Sequence, residues 1–346
     1  MKLPTSLNYE RFSAIDTLTT EQASRLNIID ILHQEKTLVN QKSPFIVANT
    51  TQVSLGHLKN DCIIPVFSKD NEKTISHQEF VDVTLDTVYK QFSEHMLDAP
   101  EIRVSHQIKG RTPNAIHKPV NQLLDSEKTV YYERMAFIVR VPTYTAIING
   151  NTLSLTIGGV RSYNQENLYN KKSFEKFKVF IGFQNMVCCN MCITTDGSME
   201  EIRVTSTEQL AEQIATLLST YDVDFHLQKM QKLTEYSLSE EQFAQVIGKS
   251  RLYQHLLRAL KKNIPELSFS DSQLYSVAKD FYDDDNFAVK KDKTIDLWSM
   301  YNLFTHANKS TYIDKFIERN TNALDLTLGL ADALENKESE YAWFLK

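Results

Sequence analysis

The stretch RMAFIVRVPTYTAIINGNTLSLTIGGV, residues 134–160, decides the fold. On either side of Asn149-Gly150 the apolar residues recur at every second position. Met135, Phe137, Val139 and Val141 fall on one face, with Arg140 opposite. Leu153, Leu155 and Ile157 fall on one face of the second run, backed by Thr152, Ser154 and Thr156. A period of two marks strands with a buried side, and Asn-Gly tolerates the positive φ that a two-residue hairpin requires. EKFKVFIGF (175–183) and MVCCNMCI (186–193) read as two more strands, TTDGS (194–198) as a second tight turn, and EIRVT (201–205) as the way out. The pattern is an antiparallel meander over residues 135–205.

Helical signals surround it. TTEQASRLNIIDILHQEK (19–36) reads as a helix, and CIIPVF (62–67) as a short edge strand because of Pro65. SHQEFVDVTLDTVYKQF (76–92) opens with the capping-box pair Ser76 and Glu79, and EIRVSHQI (101–108) alternates like a strand. Past residue 205 the period changes. Three helix starts repeat the serine–glutamine device, at Ser206/Gln209, Ser239/Gln242 and Ser270/Gln273. The expected architecture is α+β: an antiparallel β-meander packed on helices in residues 1–205, followed by an all-helical C-terminal domain in residues 206–346.

The chain has 346 residues, and its net charge of −6 is carried wholly by residues 263–346, with fifteen Asp/Glu and nine Lys/Arg. The rest balances, so any nucleic-acid site must be a local patch. No apolar run approaches the length of a membrane span, and the first residues lack the apolar core of a secretory signal. With three of the four cysteines (Cys62, Cys188, Cys189, Cys192) crowded together, no disulfide framework is indicated. The expectation is a cytoplasmic protein without membrane, metal or cofactor.

The reverse face of the meander supplies the leading site. It carries Arg140, Lys176, Lys178 and Arg203 beside hydroxyl side chains. A one-sided sheet ordinarily wets its outer face with such residues. Here, however, the strand 152–160 runs on into GGVRSYNQENLYNKK (158–172), which adds Arg161, Tyr163, Tyr169, Lys171 and Lys172. Positive charge with aromatic platforms is what single-stranded nucleic acid requires. A regular strand would point Arg161 and Tyr163 into the core, so Gly158-Gly159 is expected to bend the chain into an arm beside the basic face.

Other candidates are weaker. His106, Lys109, Arg111, His117 and Lys118 crowd a segment that could hold an anion. The spacing of the two histidines is no metal or acid–base motif. Cys189 and Cys192 are formally C-x-x-C, but in a strand they face opposite ways, and buried thiols are the better reading. Asn190 among them must find partners or mark a bulge. GKSRLYQHLLRALKK (248–262) has five cations and no acid and suggests a helix-turn-helix. DDDN (283–286) reads as a solvated turn. No phosphate-loop, nucleophile-elbow or metalloprotease motif occurs, so no catalytic residue is assigned and the balance leans away from an enzyme.

HLKNDCIIPVFSKDNEKTISHQEF (57–80), PEIRVSHQIKGR (100–111), AIHKP (115–119), YYERMAF (131–137), LTIGGVRSYNQENLY (155–169), EKFKVFIGFQNMVCCNMCI (175–193) and LWSMYNLFTHANKSTYID (297–314) together resemble the domain of unknown function 3871 family. VCCNMCITTDGS (187–198) and LWSMYNLFT (297–305) are more distantly similar to the phage/plasmid-like domain of unknown function 932 proteins. The resemblance implies a bacterial mobile element, notably a conjugative transposon, and hands over no catalytic residue. Three functions are weighed: first binding of single-stranded DNA, then, as the alternative, docking on a host or element-encoded protein, and last an enzyme using the His106/His117 loop. The second would use the acidic C-terminal region, with Trp298 or Trp343 as exposed anchors.

Overall fold

A computed structural model describes residues 43–62, 74–93, 95–165 and 174–346. The helix expected at 19–36 and most of the strand expected at 62–67 lie outside the described residues. Residues 44–346 form one compact unit.

Six strands make one sheet in strictly sequential order, each antiparallel to the next: β1 (Thr51–Val53), β2 (Glu101–Arg111), β3 (Lys128–Ile148), β4 (Asn151–Ser162), β5 (Glu175–Asn185) and β6 (Met191–Val204). The expected meander is present and longer than its apolar core. The β3–β4 hairpin turns at Asn149 (φ 48°) and Gly150 (φ 77°), as the Asn-Gly pair requires. Two details differ from expectation. TTDGS does not end a strand. Residues 194–197 bulge out within β6, and residues 191–193 on one side and 198–199 and 202–204 on the other pair with β5. MVCCNMCI is not one strand either, since residues 186–190 form the turn into β6 and Cys189 has φ 57°.

Gly158 and Gly159 do not bend the chain. Pairing of β4 with β3 runs without a shift from Leu155 to Ser162. The glycines are needed for close approach. A Cβ on Gly158 would lie 2.4 Å from the Phe137 carbonyl oxygen and 2.5 Å from the Phe180 ring. One on Gly159 would lie 2.4 Å from the Phe80 ring. Two aromatic rings thus press on the strand from opposite faces, which only a residue without a side chain permits.

The two faces pack on different partners. Phe137, Val139, Leu155, Ile157, Val179 and Ile181 meet α2 (His77–Gln91) and α3 (Thr207–Thr220) in the main core. α2 starts where expected, with Ser76 and Glu79 in a reciprocal capping box. The reverse face is also apolar at its centre. Ala136, Ile138, Val160, Phe180, Met191 and Ile193 are covered by Phe45, Ile46, Ile313, Phe316 and Ile317.

The other helices are α1 (Leu55–Asn60), α4 (Val223–Lys232), α5 (Glu240–His255), α6 (Arg258–Lys261), α7 (Asp271–Asp283), α8 (Leu297–Asn308) and α9 (Phe316–Glu335). A small ladder of β7 (Ser237–Ser239) and β8 (Thr294–Asp296) sits among them, too short for its alternation to be legible. Strands give way to helices at residues 204–207, and α8 and α9 pack back on the sheet.

α8 is buried nearly all round and is locked to the β5–β6 turn by amides. Asn185 Nδ2 donates to Asn302 Oδ1 (3.0 Å), and Asn190 Nδ2 donates to the Asn302 carbonyl (2.9 Å). Asn302 Nδ2 donates to the Trp298 carbonyl (2.9 Å), and Trp298 Nε1 donates to Asn151 Oδ1 (2.8 Å). The Asn190 Nδ2 has thus found its partner, while its buried Oδ1 has none. Trp298 is fully buried and cannot anchor an outside protein.

Gly158→Ala should cost about 1–3 kcal/mol by overpacking, because one of the atoms in the way is backbone. Gly150→Ala meets no atom within 4 Å and pays only for its positive φ, roughly 1 kcal/mol. Denaturant unfolding of both variants measures the difference, and equal losses would refute the packing role of Gly158.

Candidate functional site

The expected nucleic-acid face separates into three environments. Arg140 is used within the fold: its Nε donates to Asp98 (2.7 Å) and its Nη1 to Gln184 (3.3 Å). Its strand position, opposite Thr156 and hence Gly182, is six residues along β5 from Lys176, about 20 Å away.

Arg161 is buried, with 1% of its surface exposed, and so is Tyr163. Both assignments to an exposed arm are therefore corrected. Because β4 stays regular, Arg161 points to the α2 side, and its guanidinium lies between the rings of Tyr163 (4.6 Å) and Phe177 (4.3 Å). It donates to the Ile75 carbonyl and to the Glu175 carboxylate. Glu175 in turn accepts from the Ile75 N–H at 3.0 and 3.1 Å. One ion pair thus holds both backbone groups of the residue that leads into α2. His77 stacks on Tyr163 (4.3 Å between centroids) and donates from Nε2 to the Tyr132 carbonyl (2.9 Å). Burial, then the charge of Arg161, pushes the His77 pKa down to about 3, against the pull of that carbonyl. Tyr169, Lys171 and Lys172 lie outside the described residues.

Lys176, Lys178 and Arg203 remain together. Lys176 and Lys178 share one face of β5, and Arg203 stands directly across from Lys176 on β6. Lys178 Nζ donates to the Asp314 carbonyl (3.1 Å). Arg203 Nε donates to Glu201 (3.1 Å), whose carboxyl is held below its usual range by Arg203 first and by the two lysines in smaller measure. A cleft of about 290 Å³ opens here, lined by Val160, Ser162, Gln165, Lys176, Lys178 and Glu201. The buried Ser162 Oγ has no hydrogen-bond partner. Two exposed rings flank the strip and were missed in the sequence: Phe174, two residues ahead of Lys176, and Tyr312, over which Arg134 lies at 5.8 Å. A solvent-facing aromatic beside an apolar strand reads as core until the partner strands are known.

The other candidates disperse. Arg111 donates to the carbonyls of Ile116 (3.4 Å) and Lys118, and Lys118 pairs with Glu127. His106, Lys109 and His117 are exposed. The helix-turn-helix is not realised, since α6, the second helix, is a single turn. Burial pushes the Cys62 and Cys188 thiols up to about 11 and Cys192 higher still, so none of these is a thiolate at neutral pH. Asp284 Oδ1 accepts from the Asn286 and Phe287 N–H groups (both 2.8 Å), the turn expected of DDDN.

A family model described as "Domain of unknown function, B. Theta Gene description (DUF3871)" matches residues 26–345. The chain belongs to the DUF3871 family. Comparison with curated proteins and with solved structures returns no match. The segments that carry the family likeness in this DUF3871 chain converge in space: the β5–β6 turn meets α8 through Asn190 and Asn302, and β4 meets the start of α2 through Arg161. No helix among the described residues is long and apolar enough to cross a membrane.

Glu175→Leu should cost about 3–5 kcal/mol, because it takes the carboxylate away from a buried guanidinium and from the Ile75 N–H. Arg161→Met with Glu175→Leu should cost less than Glu175→Leu alone, which a comparison of unfolding midpoints will show. Stability should also depend on pH through His77 and His226, both lowered to about 3, chiefly by burial. Between about pH 6.5 and 3 the unfolded chain binds protons there that the folded one does not. Stability is therefore full above pH 6.5 and falls as the pH drops through that window, by about 1.4 kcal/mol per unit for each histidine. His77→Gln should flatten the slope in pH-dependent unfolding.

Proposed function

We propose that the protein binds single-stranded nucleic acid, in the service of a bacterial mobile element and in the cytoplasm, through the strip of Lys176, Lys178 and Arg203. The observation that carries this reading is the coincidence of three cations on one open sheet margin with a cleft and two exposed rings. Among the residues lining the cleft, Lys176 and Lys178 face the carboxylate of Glu201. Phosphates would lie along Lys176 and Arg203, with Ser162 Oγ and Gln165 as neutral donors, and bases would stack on Phe174 or Tyr312.

Lys176→Glu with Arg203→Glu should weaken binding of a labelled oligothymidylate at least tenfold and reduce the salt dependence by about two counterions. These side chains stand at the surface, so the fold should persist. Absence of binding by the wild type at low salt would end this reading.

A second reading, docking on a host or element-encoded protein, rests on different residues. Leu252, Leu257 and Leu260 are strongly exposed around the turn between α5 and α6, amid the five cations of residues 248–262. An acidic, apolar partner suits that surface. Retention of such a partner after nuclease treatment, lost in Leu257→Asp, would favour it over nucleic-acid binding.

A further inference from the structure

Away from the basic strip, α1 places a histidine and a carboxylate against a tyrosine of β3. The Ser54 hydroxyl caps α1 by accepting from the His57 N–H (3.0 Å), and Asp61 closes its C-terminal end. The separation of four residues puts His57 and Asp61 on one side of the turn. His57 Nδ1 lies 2.8 Å from Asp61 Oδ2, and His57 Nε2 lies 3.1 Å from Tyr132 Oη. An ionised carboxylate only accepts, so Nδ1 carries the proton and Nε2 presents its lone pair to the tyrosine O–H. Tyr132 is also fixed from behind, since its carbonyl accepts from His77 Nε2. Residue 132 is thus gripped by two histidines, one at the main chain and one at the hydroxyl.

The geometry points to Tyr132 Oη as a nucleophile toward phosphoesters, with His57 as its general base and Asp61 as the positioning residue.

Nucleophile, base and orienting acid within hydrogen-bond reach are the parts such chemistry needs. The dyad faces solvent: the His57 side chain is 29% and that of Asp61 62% exposed, while Tyr132 is nearly buried. Phosphate as the electrophile follows from the neighbouring strand. Gln107 stands directly across from Tyr132, and Lys109 across from Val130, so both exposed side chains emerge on the Tyr132 face. Lys109, expected from the sequence to meet an anion, stands one pleat along β2 from Gln107, the residue across from Tyr132. Burial pushes both the Cys62 thiol, bridged to Val130, and the Tyr132 hydroxyl above their ordinary values, so each is protonated at rest, and the imidazole beside the Tyr132 hydroxyl is what singles out the tyrosine.

In the step, the Tyr132 O–H proton passes to His57 Nε2 as the Oη–phosphorus bond forms and the bond to the leaving oxygen breaks. That oxygen departs with a proton returned by His57. Asp61 stays ionised beside the imidazolium, and Lys109 balances charge on a non-bridging oxygen. The product is a phosphotyrosyl ester on Tyr132.

An alkyl fluorophosphonate tests this, with fluoride leaving in place of the alkoxide. Peptide mapping of the full chain should find the adduct on Tyr132, formed at least tenfold faster than on the exposed Tyr89, Tyr275, Tyr282 and Tyr312. Tyr132→Phe should abolish it, and His57→Gln should slow it at least tenfold with an unchanged melting temperature. Asp61→Asn, a change at an exposed carboxylate, should slow it and shift its pH dependence, and it carries the test if His57→Gln loses its fold. Lack of an adduct on Tyr132, or labelling as fast in both variants as in the wild type, overturns the proposal.

Discussion

The buried ion pair of Arg161 and Glu175 is the constraint around which this end of the molecule is arranged. A guanidinium without water must be paired or the fold loses several kcal/mol. Here the carboxylate supplies the charge, the Ile75 carbonyl takes another donor, and two aromatic rings sandwich the plane. Because Glu175 also receives the Ile75 N–H, the pair fixes the chain where it enters α2. That in turn sets the ring of Phe80 over Gly159, and His77 between Tyr163 and the Tyr132 carbonyl. Arg161, expected as a nucleic-acid contact, is a structural bolt.

The second constraint is the closure of the sheet's reverse face. Its polar strand residues suggested an open surface, yet Ser154 and Thr156 are buried and their neighbours pack under the segments 45–46 and 313–317. A small hydroxyl residue can bond locally, as Thr156 Oγ1 does to the Ser154 carbonyl, and so tolerates a covered face. Among the described residues, Lys176, Lys178 and Arg203 stand together at the β5–β6 margin, beside the cleft. The amide lock between the β5–β6 turn and α8 serves the same closure from the other end.

Much of the fold was legible because it rests on local rules. The Asn149-Gly150 hairpin, the alternation of β3 to β5 and the capped start of α2 each follow from the residues themselves. The site was legible only in part. Lys176, Lys178 and Arg203 could be placed on one face by counting. Arg161 was misplaced because the glycines were read as a bend, and no count along one strand can reveal a phenylalanine from α2 pressing on it. The relay of Asp61, His57 and Tyr132 joins residues 75 positions apart and carried no motif.

By itself the sequence determined the antiparallel order of the strands, the hairpin, the helix starts and the absence of any global charge that would demand a nucleic acid. Backbone preference and hydrophobic period act over a few residues, and so they can be read there. Tertiary structure alone decided which cations stay in water, which glycines serve packing and which histidines meet a partner. Those outcomes depend on what the rest of the chain brings to the same point in space, where burial turns a surface charge into an internal bond.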